Sequence, residues 1–141
     1  MTVLSFNVMG LPAPQGSKRH VGHGVMIESS KKVAPWREAV KWAAIKQCGS
    51  RGPLDGPLAM RVVFTLPKPK SARKGRWCPD RMPDLSKLVR STEDALTDAG
   101  LWVDDARLVE VHARKVWPGH DKYALPAPGA RIQVWTLEDV S

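Results

Sequence analysis

The stretch Pro83-Asp84-Leu85-Ser86-Lys87-Leu88-Val89-Arg90-Ser91-Thr92-Glu93-Asp94-Ala95-Leu96-Thr97-Asp98-Ala99-Gly100 runs directly into Leu101-Trp102-Val103-Asp104-Asp105, and its reading decides the fold. Leu85, Leu88, Val89, Thr92, Ala95, Leu96 and Ala99 recur at intervals of three and four, which is the spacing of one helix face. Pro83 and Asp84 supply a start and Gly100 a C-terminal stop, so the pattern predicts a helix over about 84–98. Beyond the Asp104-Asp105 pair the period changes to two. Leu108, Glu110, His112, Arg114 and Val116 alternate with Val109, Val111, Ala113, Lys115 and Trp117, as in a strand.

Working outward, Leu58 to Leu66 is rich in β-branched and aromatic residues and reads as a long strand that Pro67 ends. Val3 to Met9 alternates as a first strand, Val25-Met26-Ile27 as a short second one, and Ala130 to Leu137 as the last. Another helix is expected to begin near Ala34-Pro35, where proline's missing N–H costs nothing, and to stop by Gly49. Trp36, Val40, Ala43 and Ala44 follow at helical spacing in it, and Trp36 and Trp42 both read as packing residues. The sum is a single α+β domain over residues 1–141, with two main helices on a mixed sheet whose last two strands form an antiparallel pair.

Composition narrows the partner. The 141 residues carry a formal charge of +8, which favours a polyanion because each cation near a phosphate releases counterions. Cys48 and Cys78 form no CxxC pair, so neither a zinc scaffold nor a disulfide framework is expected. No apolar run approaches membrane-spanning length, and the expectation is a soluble, cytoplasmic protein with no membrane partner. Nothing resembles a nucleotide-cradling loop or a Ser-His-Asp triad, and His20, His23, His112 and His120 lack metal-ligand spacing; no small-molecule cofactor is expected.

Cations concentrate at two places. Lys18-Arg19 follow the turn-forming Gly10 to Ser17 segment, and Lys68, Lys70, Arg73, Lys74, Arg76 and Arg81 punctuate a Pro/Gly/Ser-rich stretch at about 67–83 that reads as a mobile surface loop. These residues, with Lys87, are the candidates for DNA backbone contact, and Trp77 is a candidate to stack on an unpaired base.

The acids sit where a purely DNA-binding protein would avoid them. Seven of the fourteen fall between Asp80 and Asp105: Asp80, Asp84, Glu93, Asp94, Asp98, Asp104 and Asp105. Each would repel phosphate, unless a divalent ion converts the cluster into a site that attracts it. Phosphodiester hydrolysis needs such an ion to generate hydroxide and neutralise developing charge, and hard oxygen ligands suit Mg²⁺. Asp98 reads instead as part of a solvated face.

Pro83-Asp84-Leu85-Ser86-Lys87-Leu88-Val89-Arg90, Asp94-Ala95-Leu96-Thr97 and Gly100 to Val109, together with the opening Pro12-x-Pro14-Gln15-Gly16-Ser17-Lys18-Arg19, resemble the RusA family of Holliday-junction resolvases over nearly the whole chain. The resemblance implies a RusA-like domain and a homodimer that nicks four-way junctions in two matched places with Mg²⁺ or Mn²⁺, leaving 5′-phosphate and 3′-hydroxyl ends. The family's usual distribution points to a phage or prophage. Asp84 and Asp105 match family metal ligands and are catalytic candidates, and Asp104 beside the second is a further candidate metal ligand. Arg90 stands where the family has a catalytic lysine; arginine can grip phosphate but cannot lose a proton.

Ser86 departs from the pattern by replacing a metal-binding aspartate. Three explanations stay open: an inactive protein that still binds branched DNA, weak metal binding, or a carboxylate recruited from elsewhere. Glu93, seven residues on, returns to nearly the same helix face beside Arg90 and is the candidate replacement, both catalytic and metal-binding. Asp94 lies on that flank too, four residues after Arg90, where an ion pair between the two is the alternative.

Overall fold

Inward residues Leu4, Phe6 and Val8 alternate with exposed Val3, Ser5, Asn7 and Met9 along β1 (Val3–Met9), so one face of the sheet is apolar from its first strand. The computed structural model describes residues 3–16, 29–49 and 51–139. The expected short strand at Val25-Met26-Ile27 lies outside the described residues, as do Lys18, Arg19, His20 and His23. The elements that follow are α1 (Ser29–Cys48), β2 (Leu58–Thr65), α2 (Leu85–Asp98), a 3-10 turn (Asp105–Arg107), β3 (Leu108–Val116) and β4 (Gly129–Thr136). Two helices and a four-stranded mixed sheet make an α+β domain.

The sheet order is β1-β4-β2-β3, with β4 antiparallel to both β1 and β2 and with β3 parallel to β2. The last two strands are therefore not a pair, contrary to expectation. The reason is the crossover: β2, α2 and β3 form a unit whose helix carries the chain back to a parallel position, which occupies one edge of β2. The 117–128 loop then returns across β2, held where the Leu125 N–H donates to Thr65 Oγ1 at 2.9 Å. β4 enters on the other side. β2 is thus central and buried on both faces, with Leu58, Met60, Val62 and Phe64 in the main core and Ala59, Val63 and Thr65 opposite.

α1 starts earlier than its proline suggests and holds Pro35 in its second turn, at the loss of one helical hydrogen bond. Val33, Trp36, Val40 and Ala44 form its buried stripe, and the Trp36 Nε1–H donates to Thr92 Oγ1 of α2 at 3.2 Å. Trp42 corrects its assignment as a packing residue. It is 61% exposed, donating to Glu38 instead, because six residues from Trp36 is about one and two-thirds turns. Asp98 is exposed as expected and pairs with Arg37 of α1 at 2.7 Å. Among the described residues no helix is long and apolar enough to cross a membrane.

α2 follows its sequence pattern, burying Leu88, Ser91, Thr92, Ala95 and Leu96 and ending where Gly100 turns at φ +74°. Its buried serine has a second function in the fold. Ser91 Oγ donates to the Ala13 carbonyl at 2.6 Å, and the Gln15 N–H donates to the Lys87 carbonyl at 3.0 Å, which seats the proline-rich opening segment on α2. Ser91→Ala should strand the Ala13 carbonyl and cost about 1–3 kcal/mol. Denaturant unfolding checks the magnitude, and faster proteolysis within 10–16 would show that the segment has come loose.

Candidate active site

The turn after α2 is clamped from outside the helix. The Leu54 N–H donates to the Leu101 carbonyl at 2.8 Å and the Val103 N–H to the Leu54 carbonyl at 3.0 Å. Arg107 pairs with Asp55 at 2.8 Å, and buried Trp102 donates from Nε1 to Thr97 Oγ1 at 2.8 Å. Within this clamp the two adjacent aspartates differ. Asp104 caps the 3-10 turn, accepting the Ala106 N–H at 2.9 Å, whereas Asp105 is exposed and its carboxylate makes no hydrogen bond or ion pair among the described residues.

The clamp sets Asp105 against the C-terminal half of α2, where Glu93 is half-buried. Burial pushes the Glu93 carboxyl above its usual range, and the charges of Asp105 and then Asp94 push it further; Arg90 offsets them only in part. Among the described residues Glu93 makes no ion pair or side-chain hydrogen bond. Nor does Arg90 lie within ion-pairing distance of Asp94, so the pairing that competed for Asp94 is not formed.

Asp84 sits at the other end of α2. It occupies the capping position without a side-chain capping bond and lies 3.6 Å from Lys87. Lys115 of β3 fixes this end, donating from Nζ to the carbonyls of Arg81 at 2.8 Å and Pro83 at 2.9 Å. Nine residues separate Asp84 from Glu93, about 13.5 Å along the helix axis. Glu93 thus lies within electrostatic reach of Asp105, Asp94 and Arg90, while Asp84 stands at the far end of the helix and Ser86 is exposed. Among the described residues, no three His, Cys, Asp or Glu side chains converge as a metal-holding group.

The model of the family described as endodeoxyribonuclease RusA matches residues 9–126. The chain belongs to the RusA family. A search of curated proteins finds no match. The RusA match contains the opening proline segment, the basic loop, α2, the Asp104-Asp105 turn and β3, and stops short of β4. Family membership gives endodeoxyribonuclease as the class of activity.

In this RusA-family chain Glu93 and Asp105 are the acids that could hold a hard cation. Mg²⁺ commonly takes only one or two protein carboxylates and completes its shell with water and substrate phosphate. Glu93 and Asp105 offer two carboxylate oxygen donors whose repulsion Arg90 offsets only in part, a donor set that such an ion could use. A stability measurement reads this charge without any catalysis. A carboxyl raised on folding is penalised once it ionises, so stability falls as pH climbs through the window between the unfolded and the raised folded value. At neutral pH in EDTA, Glu93→Gln should therefore melt higher than wild type. Adding Mg²⁺ to a hundred times its Kd should raise wild-type stability by about 2.7 kcal/mol. The variant should respond much less.

The basic loop of the RusA chain has no regular secondary structure but is tied down on one side. Arg76 bonds Asp80 at 2.9 Å, holding that carboxyl below its usual range, and Arg81 lies 3.9 Å from Asp80. Arg76 and Lys68 sit over the Trp117 ring at 5.1 and 5.2 Å. Lys70, Arg73 and Lys74 are exposed and have no carboxylate partner among the described residues, and Trp77 is 72% exposed. A groove of about 720 Å³ separates this loop from the Leu11–Pro14 segment, with Lys32, Arg76, Arg81 and Trp117 along it. Lys115 and Lys32 escaped the sequence reading. The alternation of β3 assigns Lys115 a side of the sheet but not its reach to the start of α2.

Proposed function

We propose that this RusA-family chain is a Mg²⁺-dependent, structure-selective endonuclease that resolves Holliday junctions or related branched DNA, with Glu93 replacing the carboxylate absent at Ser86. The observation that carries the reading is the half-buried, unpaired Glu93 carboxyl set against Asp105. Glu93 and Asp105 would hold the ion, and Mn²⁺ has the same oxygen preference. When bound, the ion would supply the hydroxide and neutralise charge on the scissile phosphate. Water oxygen bonds to phosphorus, the bond to the 3′ oxygen breaks, and that oxygen takes up a proton, leaving 5′-phosphate and 3′-hydroxyl ends.

The remaining residues position the strand. Arg90, one turn from Glu93 and free of a carboxylate partner among the described residues, grips the phosphate and holds its charge throughout. Asp104 keeps the turn in shape through its cap, so it supports Asp105 more than it contacts the ion. Asp84, about 13.5 Å along the axis from Glu93, stands outside that ion's shell within one subunit. It acts at the other end of α2 with Lys87, on a separate part of the same substrate. Lys18 and Arg19 join Lys70, Arg73 and Lys74 in holding the backbone. A homodimer follows from the reaction, since resolution requires two matched nicks, and the bacterial cytoplasm is the proposed compartment.

A labelled four-way junction, a flap and a plain duplex, each incubated with Mg²⁺ or EDTA, test the proposal. Paired, Mg²⁺-dependent nicks confined to branched substrates are expected. Tight binding with no nicks would establish a non-catalytic junction binder that lost its metal through Ser86, and equal cutting of all three substrates would exclude a resolvase.

A further inference from the structure

The sheet face opposite the helices collects cations that the acidic site does not use. Strand register aligns Ser5, Gln133, Arg61 and His112 in one row across it, and Asn7, Arg131, Val63 and Arg114 in the next. The 117–128 loop lays Tyr123 over these rows, and Arg61 Nη1 donates to the Tyr123 hydroxyl at 3.2 Å. Four cations then surround one ring. Lys122, Arg61, Arg114 and Arg131 lie 4.9, 5.4, 5.8 and 5.8 Å from its centroid.

Too little negative charge is present to balance them. Asp121 is committed, pairing with Arg114 at 2.8 Å and accepting the Tyr123 N–H at 2.8 Å. Glu110 lies beside His112 at 3.6 Å. Arg61 and Arg131 have only neutral partners among the described residues: Tyr123 and Gln133 for the first, Asn7 and Ser5 at 3.5 and 3.4 Å for the second. The buried Arg131 Nε has no acceptor among the described residues. The face of one tyrosine offsets repulsion among four cations only in part. A recess of about 370 Å³ opens alongside, with Arg61, His112 and Arg114 along it.

We propose that this helix-free face is a second DNA-binding surface, taking the phosphodiester backbone of a DNA arm other than the one held at the acidic site. It rests on the reading of the chain as a branched-DNA nuclease. Phosphate oxygens supply the missing acceptors, and guanidinium groups match them in paired hydrogen bonds. A second copy of the chain is the poorer occupant, because a twofold axis would set the same cations against each other. The acidic site lies on α2, which packs on the other face of the sheet, so one molecule can meet two arms of a junction at once.

The test measures binding of a labelled four-way junction in EDTA over a salt series, for wild type and for Arg61→Gln/Arg131→Gln. Losing two phosphate contacts should make the salt dependence shallower by about 1.8 and weaken binding about thirtyfold at 0.15 M salt. Arg61→Lys/Arg131→Lys should keep the wild-type slope, which a purely packing role for these side chains does not predict. In wild-type protein, saturating junction should slow amine-reagent labelling of exposed Lys122 several-fold, a readout that needs no variant to fold. An unchanged slope in the glutamine variant, unprotected Lys122, or a change in sedimenting mass that makes this face a contact between copies would each overturn the inference. Wild-type protein that binds no junction would instead remove the functional reading beneath it.

Discussion

Asp105→Asn is expected to lower the single-turnover rate of junction cleavage by about a thousandfold, the scale on which loss of a preorganised electrostatic group acts. The reason is positional. Asp105 is the carboxylate that the Leu54, Asp55 and Trp102 contacts hold against α2, and its charge already acts on Glu93. Asparagine keeps the shape and loses the charge, so the turn and its Asp104 cap should survive while the ion's affinity collapses. Junction binding in EDTA should tighten slightly, since one carboxylate no longer repels phosphate. A loss of binding parallel to the loss of cleavage would instead mean that Asp105 supports the fold.

The second large effect concerns binding. Neutralising Lys70, Arg73 and Lys74 together to glutamine should make the salt dependence of junction binding shallower by about 2.7 and weaken it on the order of a hundredfold at 0.15 M salt. These three are chosen because they are exposed and have no carboxylate partner among the described residues. Arg76 and Lys68 are engaged with Trp117, and removing either would confuse lost packing with lost charge. Binding titrations at several salt concentrations separate the outcomes. If the slope stays at its wild-type value, the loop's cations are a solvated surface and the DNA runs elsewhere.

What could be read in advance follows from how local each feature is. α2 was legible because its apolar period, its start at Pro83-Asp84 and its stop at Gly100 all lie within one short stretch. The same helical arithmetic placed Glu93 on the face of Ser86 and Arg90. The influence of Asp105 on Glu93 depends on the clamp at Leu54 and Asp55, some fifty residues upstream of it in the chain, which no local spacing encodes. Strand order failed for a similar reason. The alternation of β3 and β4 shows that both are strands, but not that β2 stands between them. Trp42 was misjudged because an amphipathic pattern tolerates a large aromatic on its flank, where a hydrogen bond to Glu38 replaces burial. The Arg61–Tyr123–Arg131 cluster draws on β2, a loop and β4, and becomes one feature only through the sheet register.

The central claim is that Glu93, with Asp105, performs the metal-binding task that Ser86 cannot. The most direct measurement is the Mg²⁺ dependence of four-way-junction cleavage at saturating protein, compared between wild type and Glu93→Gln, with Asp84→Asn beside them. Glu93→Gln should nearly abolish cleavage at millimolar Mg²⁺ and recover part of it only at much higher metal concentration, while junction binding in EDTA persists. A Glu93→Gln enzyme that cuts with the wild-type Mg²⁺ midpoint and rate, while Asp84→Asn is dead, would contradict that claim.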